Sequence, residues 1–316
     1  MFSHVQALLA GRRTESAAME GSWSAVSEAW LDGDPAQRAD PRFLSFLLSR
    51  EVLCTTATAL WERGVDVLPL GEALLQAMVE DVPWRRHVST LDLLVPEQRY
   101  RRALDLLHER GFEPQATDPT GALLTAHGVP FPICLRHALK GGTGSFDAGA
   151  LLLHASADTL LFGAPVLLPD PLDLYAYLVA QIGRARLGPP SPWLADLAAL
   201  VQRYGLAAHA CAQRLSEYGL GRKARFVFRM LEEQDRQHAT EVVACLPADH
   251  LADMLALAAH GTRRWPKPVQ RLGAVPFYLL QPDLRQGARD LLAKLADEPW
   301  YAWTKRAVEG MRGPKQ

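Results

Sequence analysis

Apolar residues change their spacing twice along the chain, and the two changes divide it into three parts. Up to Gly64 they recur at helical spacing, and from Val65 short apolar runs alternate with helical stripes. From Phe146 onward the spacing is helical almost throughout. The sequence therefore predicts N-terminal helices at 1–64, an α/β core at 65–145 and a helical domain at 146–316.

The clearest helix of the first part begins at Asp40-Pro41. Asp caps the free amides of a first turn, and Pro fits that turn because it has no amide hydrogen to lose. The apolar stripe continues to about Arg63, and Gly64 is typical of the residue just past a helix end. We therefore expect one long helix before the α/β core.

The middle part has the alternation of an α+β fold. Short apolar runs predict strands at 65–68, 91–95, 123–126 and 131–135. An amphipathic stripe predicts a helix over 97–110. We expect the first, second and fourth of these runs to be neighbouring strands of one sheet, with the helix packed on it.

The last part carries repeated helix-start signals. Asp170-Pro171 and Ser191-Pro192 each place a capping residue before a first-turn proline. The span 171–261 is expected to be predominantly helical. Further helices are predicted at 207–217, 221–235, 238–260 and 283–296, with a last one beginning at Pro299.

The amino-acid composition limits the classes of partner and the cellular compartment that we expect for this protein. The chain has 34 Lys and Arg against 35 Asp and Glu, a net charge of -1, so it has no overall field that attracts nucleic acid or an anionic membrane. Its four cysteines are scattered, and its first residues lack a basic start followed by a long apolar run. We expect a soluble cytoplasmic protein, and the preference for Arg, Ala and Leu suggests a bacterial source.

Other motifs are weak. Cys134 and His137 form C-x-x-H without a second pair, so a buried thiol and a polar histidine are expected rather than half of a zinc site. The glycine-rich stretch 140–145 lacks the residue order of a phosphate-binding P-loop and is interpreted as a turn. No G-x-S-x-G is present, so hydrolase chemistry has little support.

The most informative stretch is 65–112. It contains Leu70-Gly71, then a helix, Arg86, the run Thr90-Leu91-Asp92-Leu93-Leu94-Val95, a second helix and Gly111-Phe112. In this order and spacing it resembles the nucleotidyltransferase superfamily, in particular the bacterial "uncharacterised nucleotidyltransferase family". The later Pro192-Trp193-Leu194-Ala195-Asp196-Leu197 is similar to a helix of that family, and the resemblance covers about residues 45–235.

The resemblance implies a small mixed sheet of nucleotidyltransferase type with flanking helices, followed by a mostly helical domain. It also implies Mg²⁺ chemistry, in which two ions clamp a triphosphate and activate the attacking oxygen. On this basis Asp92 is the catalytic and metal-binding candidate. The nucleotide-binding candidates are Gly71, Glu72, Arg86 and Asp196.

This sequence departs from the family pattern where the carboxylates are needed. The family's Asp-x-Asp places two carboxylates on one strand face, but here the first position is Thr90. The strand expected to carry a third acid, 129–140, contains no Asp or Glu. Leu70 replaces the family's lysine, and Glu72 stands where the family has a small residue.

The leading hypothesis is a nucleotidyltransferase-like protein with a degraded carboxylate site. It would be weakly active or inactive, would bind Mg²⁺ weakly through Asp92, and would act through binding a nucleotide or a protein partner. One alternative is an active metal-dependent enzyme in which Glu72 or Asp196 supplies the second ligand. Another is a helical adaptor that binds a protein, and neither membrane nor nucleic acid is an expected partner.

Each candidate residue also has an ordinary structural interpretation. Glu72 and Asp196 lie near predicted helix starts, where a carboxylate is favoured by the helix dipole. Asp92 is equally explained as a salt-bridged strand residue, and Arg86 as a solvated surface residue. The sequence leaves both interpretations of each residue open.

Overall fold

A computed structural model describes residues 41–139, 148–158, 163, 165–182, 192–230 and 236–262. The long helix α1 (Pro41–Trp61) precedes the core, as its cap and stripe predict. The helices predicted before residue 40, the glycine-rich stretch 140–145, and the helices predicted at 283–296 and from Pro299 lie outside the described residues.

The core is a five-stranded mixed sheet with helices on its faces. Its strands lie in the order β1-β2-β5-β4-β3; β2 and β5 are parallel and the other neighbours antiparallel. The predicted neighbourhood of the first, second and fourth strand runs is thus confirmed. The elements are β1 (Leu68–Leu70), α2 (Gly71–Met78), β2 (Leu91–Leu94), α3 (Glu97–Glu109), β3 (Phe112–Asp118), β4 (Gly121–Ala126) and β5 (Ile133–Arg136).

Two strand predictions need correction. The strand predicted at 65–68 forms three residues later, because pairing with β2 begins at Leu68. Strand β3 was not predicted, because its sequence after Phe112 is exposed and shows no alternation of apolar residues. It is an edge strand held by antiparallel pairing to β4, with an irregularity between Pro114 and Ala116.

Successive side chains of β2 lie on opposite faces of the sheet and pack in two different apolar clusters. Leu91 and Leu93 join the cluster formed with α1 and α3, whereas Leu94 joins the cluster formed with α2 and the later helices. Asp92 shares a face with Leu94, since the two lie two positions apart along the strand. The candidate carboxylate therefore lies on the face of the sheet that meets α2 and the helical part.

Helix α1 needs a comment because its composition is apolar. Residues Arg42–Trp61 are long and apolar enough to span a membrane by length and composition, and 44% of that window is buried inside the protein. Leu53, Ala57 and Leu60 are almost completely buried against the sheet. The core helix of a soluble protein satisfies the same criteria.

The part after the sheet is mainly helical, as predicted. A short hairpin of β6 (Ser156–Asp158) and β7 (Val166–Leu168), absent from the prediction, precedes helices that form all of the regular structure described from residue 171 onward. Before the hairpin lies α4 (Ala148–Leu153). The later helices are α5 (Pro171–Ile182), α6 (Pro192–Tyr204), α7 (Ala208–Glu217), α8 (Gly221–Met230), α9 (Arg236–Cys245) and α10 (His250–Thr262).

One predicted helix is two helices. The span 238–260 is interrupted between α9 and α10, where Pro247 has no amide hydrogen to continue the helical pattern. The side chain of Asp249 then accepts a hydrogen bond from the amide of Ala252 at 2.9 Å, which caps the new helix. The apolar residues keep their helical spacing across this break, so the sequence pattern predicted one continuous helix.

The contact between β4 and β5 provides a test of this sheet. A Cβ added at Gly121 would lie 2.1 Å from the carbonyl oxygen of Leu135, so the strands must separate to accept any side chain. We expect Gly121→Ala to lower the free energy of unfolding by at least about 2 kcal/mol, measured by urea denaturation. The matched control is Gly221→Ala, where the nearest atom is 3.6 Å away. The control should be neutral or slightly stabilising, and equal effects at the two positions would contradict this packing.

Candidate functional site

The candidate site begins at the turn between β1 and α2. Gly71 has a φ of +62°, a conformation that favours glycine. A Cβ at this position would lie 3.0 Å from Oδ2 of Asp92, so the absence of a side chain also permits a close approach. Two of the predicted site residues, Gly71 and Asp92, are thereby brought together.

Asp92 lies in the middle of the sheet, between two paired strands. Its partner in register on β1 is Leu70, and its partner on β5 is Cys134. The Asp92 side chain is 28% exposed, so it is accessible from one side. Thr90 comes directly before β2 and supplies a hydroxyl where the family pattern has a carboxylate.

The adjacent strand β5 surrounds the Asp92 carboxylate with hydrogen-bond donors. Nε of Arg136 donates to Oδ1 of Asp92 at 3.4 Å, and the Cys134 thiol also bonds to the carboxylate. Burial, and then the negative charge of Asp92, raise the pKa of Cys134 to about 11, so the thiol stays protonated at neutral pH. The carboxylate is therefore satisfied by a guanidinium and a thiol.

The ionisation of Asp92 reflects its position inside the fold. Burial raises the pKa of Asp92 above its ordinary value, and the nearby charge of Glu72 acts in the same direction. Arg136 and the Cys134 thiol act in the opposite direction without reversing the shift. The negative charge of Asp92 is thus harder to maintain than that of a solvated aspartate.

Glu72 lies in the first turn of α2 and binds the segment before β2. Its Oε2 accepts hydrogen bonds from the amide of Ser89 at 2.9 Å and from the Ser89 hydroxyl at 3.1 Å. A carboxylate in a first turn is also favoured by the helix dipole. Both contacts agree with the structural interpretation of Glu72, and its predicted role toward a nucleotide stays a prediction.

Arg86 and Asp196 bind each other. The guanidinium of Arg86 forms a two-pronged contact with the Asp196 carboxylate, including Nη1 to Oδ2 at 3.2 Å, and also binds Glu80, with Nε to Oε1 at 3.0 Å. Gln76 donates to the carbonyl of Arg86 at 2.8 Å. The side chains of Arg86 and Asp196 are only 15% and 4% exposed, so this contact is a buried link between the core and α6.

Burial affects the pKa values of the two partners with different net results. It raises the pKa of Asp196 even though Arg86 favours the ionised form. For Arg86, burial favours the neutral form, but the bonds to Asp196 and Glu80 outweigh it and raise its pKa. Arg86 is therefore not a solvated surface residue, since its guanidinium binds Asp196 and Glu80. Its contact with a nucleotide stays a prediction.

Arg136 was not identified from the sequence as part of the site. A signal was present, because Cys134 and Arg136 are two residues apart and must share a strand face. Which residues of β5 oppose Asp92 depends on the strand register, which the sequence does not give. His137 is also nearby in sequence but packs on Tyr100, with ring centroids 4.4 Å apart.

The described residues contain no group of three or more His, Cys, Asp or Glu side chains arranged to hold a metal ion. The other carboxylate that acts on Asp92 through its charge is that of Glu72, which accepts two hydrogen bonds from Ser89. A metal ion at this site would therefore meet one half-buried carboxylate, that of Asp92, which already binds the Arg136 guanidinium.

Comparisons with known proteins give one family match. The model of a family described as "Uncharacterised nucleotidyltransferase" matches residues 46–234. No curated protein sequence matches this chain.

Several solved structures resemble the chain distantly. The solution structure of the antibiotic-resistance factor ANT(2'')-Ia is 13% identical with a TM-score of 0.40, covering 54% of this chain and 90% of that one. The crystal structure of ANT(2")-Ia in complex with adenylyl-2"-tobramycin is 12% identical with a TM-score of 0.41, covering 54% and 96%. An antigenic nucleotidyltransferase-like protein from Paracoccidioides brasiliensis is 16% identical with a TM-score of 0.39, covering 63% and 94%.

The buried ion pair gives a test that separates stability from binding. We expect Asp196→Asn to lower the free energy of unfolding by about 3 kcal/mol, because Arg86 is left buried with an incomplete set of partners. The matched control is Asp81→Asn, which breaks the contact of 3.8 Å between Arg203 and a 98% exposed carboxylate. The control should cause no measurable change in chemical denaturation. Unchanged stability of Asp196→Asn combined with weakened nucleotide binding would contradict the structural role.

Proposed function

The chain belongs to the uncharacterised nucleotidyltransferase family, and from this premise we propose that it binds nucleotide at a degraded carboxylate site and transfers it weakly or not at all. The observation that carries the proposal is the environment of Asp92. Where the family pattern places further carboxylates, this chain has Thr90 before the strand and Cys134 on the adjacent strand.

The donor set fits magnesium poorly. Mg²⁺ requires oxygen ligands in near-octahedral geometry at about 2.0–2.1 Å, and neither a protonated thiol nor a guanidinium meets that requirement. The Arg136 guanidinium also brings a positive charge to within 3.4 Å of the Asp92 carboxylate, which disfavours a second cation there. We therefore propose weak Mg²⁺ binding through Asp92 and the phosphates of a bound nucleotide.

Nucleotide binding is the part of the function that the remaining geometry supports. The glycine turn brings the start of α2 close to the Asp92 carboxylate, which is 28% exposed. The amides of a first helical turn favour phosphate. Glu72 reduces this effect, so the expected affinity is low.

The alternative active enzyme requires a rearrangement. Glu72 would have to give up two hydrogen bonds to Ser89 and approach Asp92, and Asp196 would have to leave a buried contact with Arg86. The proposed function also includes a protein partner, because a protein that has lost its catalytic activity can still act by binding a nucleotide or another protein. The adaptor alternative differs because it needs no nucleotide at all.

A transfer assay tests the activity. We expect little or no transfer of label from ATP, CTP, GTP or UTP to protein or RNA acceptors with Mg²⁺ or Mn²⁺. The physical reason is that charge stabilisation by the metals contributes several kcal/mol in such reactions, and their ligands are missing. Asp92→Ala should remove whatever part of the nucleotide affinity depends on a divalent ion, while Asp105→Ala, an exposed carboxylate on α3, should leave it unchanged.

The outcomes of this assay separate the alternatives. Robust turnover that Asp92→Ala abolishes would contradict the degraded site and favour the active enzyme. Absence of nucleotide binding with or without Mg²⁺ would favour the adaptor. Thr90→Asp restores the paired carboxylates of the family pattern, so it should raise the divalent-dependent nucleotide affinity above that of the unmodified chain.

A further inference from the structure

The side chain of Arg136 is placed differently from the other arginines that form buried contacts. It uses one nitrogen, Nε, to donate to Asp92 at 3.4 Å. Its two terminal nitrogens donate to no residue in the described part of the chain. By contrast, both terminal nitrogens of Arg86 bind the Asp196 carboxylate, and those of Arg225 bind the Asp253 carboxylate and the carbonyls of Val243 and Pro247. A guanidinium has five N–H groups, so Arg136 keeps most of its donors for another acceptor.

The surroundings keep this guanidinium charged and partly open. Burial favours its neutral form, but the negative charge of Asp92 and its hydrogen bond from Nε favour the charged form, and the pKa of Arg136 lies above its ordinary value. The side chain is 26% exposed, which is enough to admit a ligand atom. A permanent cation therefore lies against Asp92 with its outer side accessible.

These contacts match the part that a metal plays in a nucleotidyl-transfer site. There the metal lies between a carboxylate and a phosphate oxygen and compensates both charges. Arg136 already binds the carboxylate, and a guanidinium binds phosphate through two parallel N–H groups. On this basis, and resting on the nucleotide binding proposed above, we propose that Arg136 takes the place of the metal at Asp92 and binds a nucleotide phosphate without a divalent cation.

Other charges near the site determine how strongly a nucleotide phosphate is expected to bind. Asp92 and Glu72 are negative and oppose a phosphate, although Glu72 accepts two hydrogen bonds from Ser89. A single guanidinium supplies one positive charge where a metal supplies two. The affinity is therefore weak and falls with salt, and it rises when a neighbouring carboxylate is neutralised.

Opposite responses of two variants distinguish this role from a structural ion pair. Arg136→Gln and Asp92→Asn each remove one charge of the same ion pair, so a merely structural pair would change nucleotide affinity in the same direction in both variants. If Arg136 binds phosphate, Arg136→Gln should weaken binding about tenfold, because charge-assisted hydrogen bonds are lost. Asp92→Asn should strengthen binding about fivefold, because a nearby negative charge is removed.

The experiment is a calorimetric titration of the full chain with the four NTPs and with tripolyphosphate, in EDTA and again with excess Mg²⁺. We expect NTP and tripolyphosphate to bind in EDTA, with only a small gain from Mg²⁺, in keeping with the weak Mg²⁺ binding proposed for Asp92. The matched control is Arg102→Gln, an exposed arginine on α3, which should leave the affinity unchanged. Thermal denaturation of each variant shows that it is folded.

The results that overturn the inference differ from those that overturn the proposed function. Nucleotide binding that requires Mg²⁺ would leave the proposed function standing and refute the role of Arg136. Binding in EDTA that Arg136→Gln does not weaken, or that Asp92→Asn weakens, would refute it as well. If no nucleotide binds under either condition, the proposed function itself fails.

Discussion

The parallel pairing of β5 with β2 decides what surrounds the candidate carboxylate. This pairing sets Cys134 opposite Asp92 and places Arg136 two residues further along the same face. A shift by one residue would instead bring the apolar side chains of Ile133 or Leu135 to this face and lose their burial on the other side. The burial of Ile133 and Leu135 thus holds the register, and the register in turn delivers the guanidinium to Asp92.

A second constraint links the sheet to the helices that follow it. Arg86 and Asp196 are 110 residues apart in the chain and meet in a nearly dry environment. Such a pair adds little net stability compared with an apolar contact, but it is intolerant of the loss of one partner. It therefore specifies how α6 lies against the segment before β2.

Much of the sheet was predictable because local patterns carried the information. Strands β2 and β5 have short apolar runs, and the helix between β2 and β3 has a clear stripe and a glycine after its end. Strand β3 escaped prediction because its exposed residues have no apolar period, so only its pairing with β4 makes it a strand. The break near Pro247 was missed because apolar spacing continued on both sides of it.

The candidate site was predictable only in part, for a related reason. Gly71 and Asp92 were proposed from the family resemblance, whose motifs lie within single segments, and the structure brings the two residues together. Arg136 was not found, because its relation to Asp92 depends on which residues of two separate strands lie side by side. The contact between Arg86 and Asp196 is likewise a property of the tertiary fold, and no sequence spacing encodes it.

The exposed edge of the sheet has a consequence for association between molecules. An unpaired strand edge offers a template on which another chain can add a strand. In β3 the backbone at Pro114 has no amide hydrogen, and the ladder is irregular between Pro114 and Ala116. Glu113 and Asp118 add negative charge near its two ends. These features oppose the addition of a further strand at this edge of the sheet.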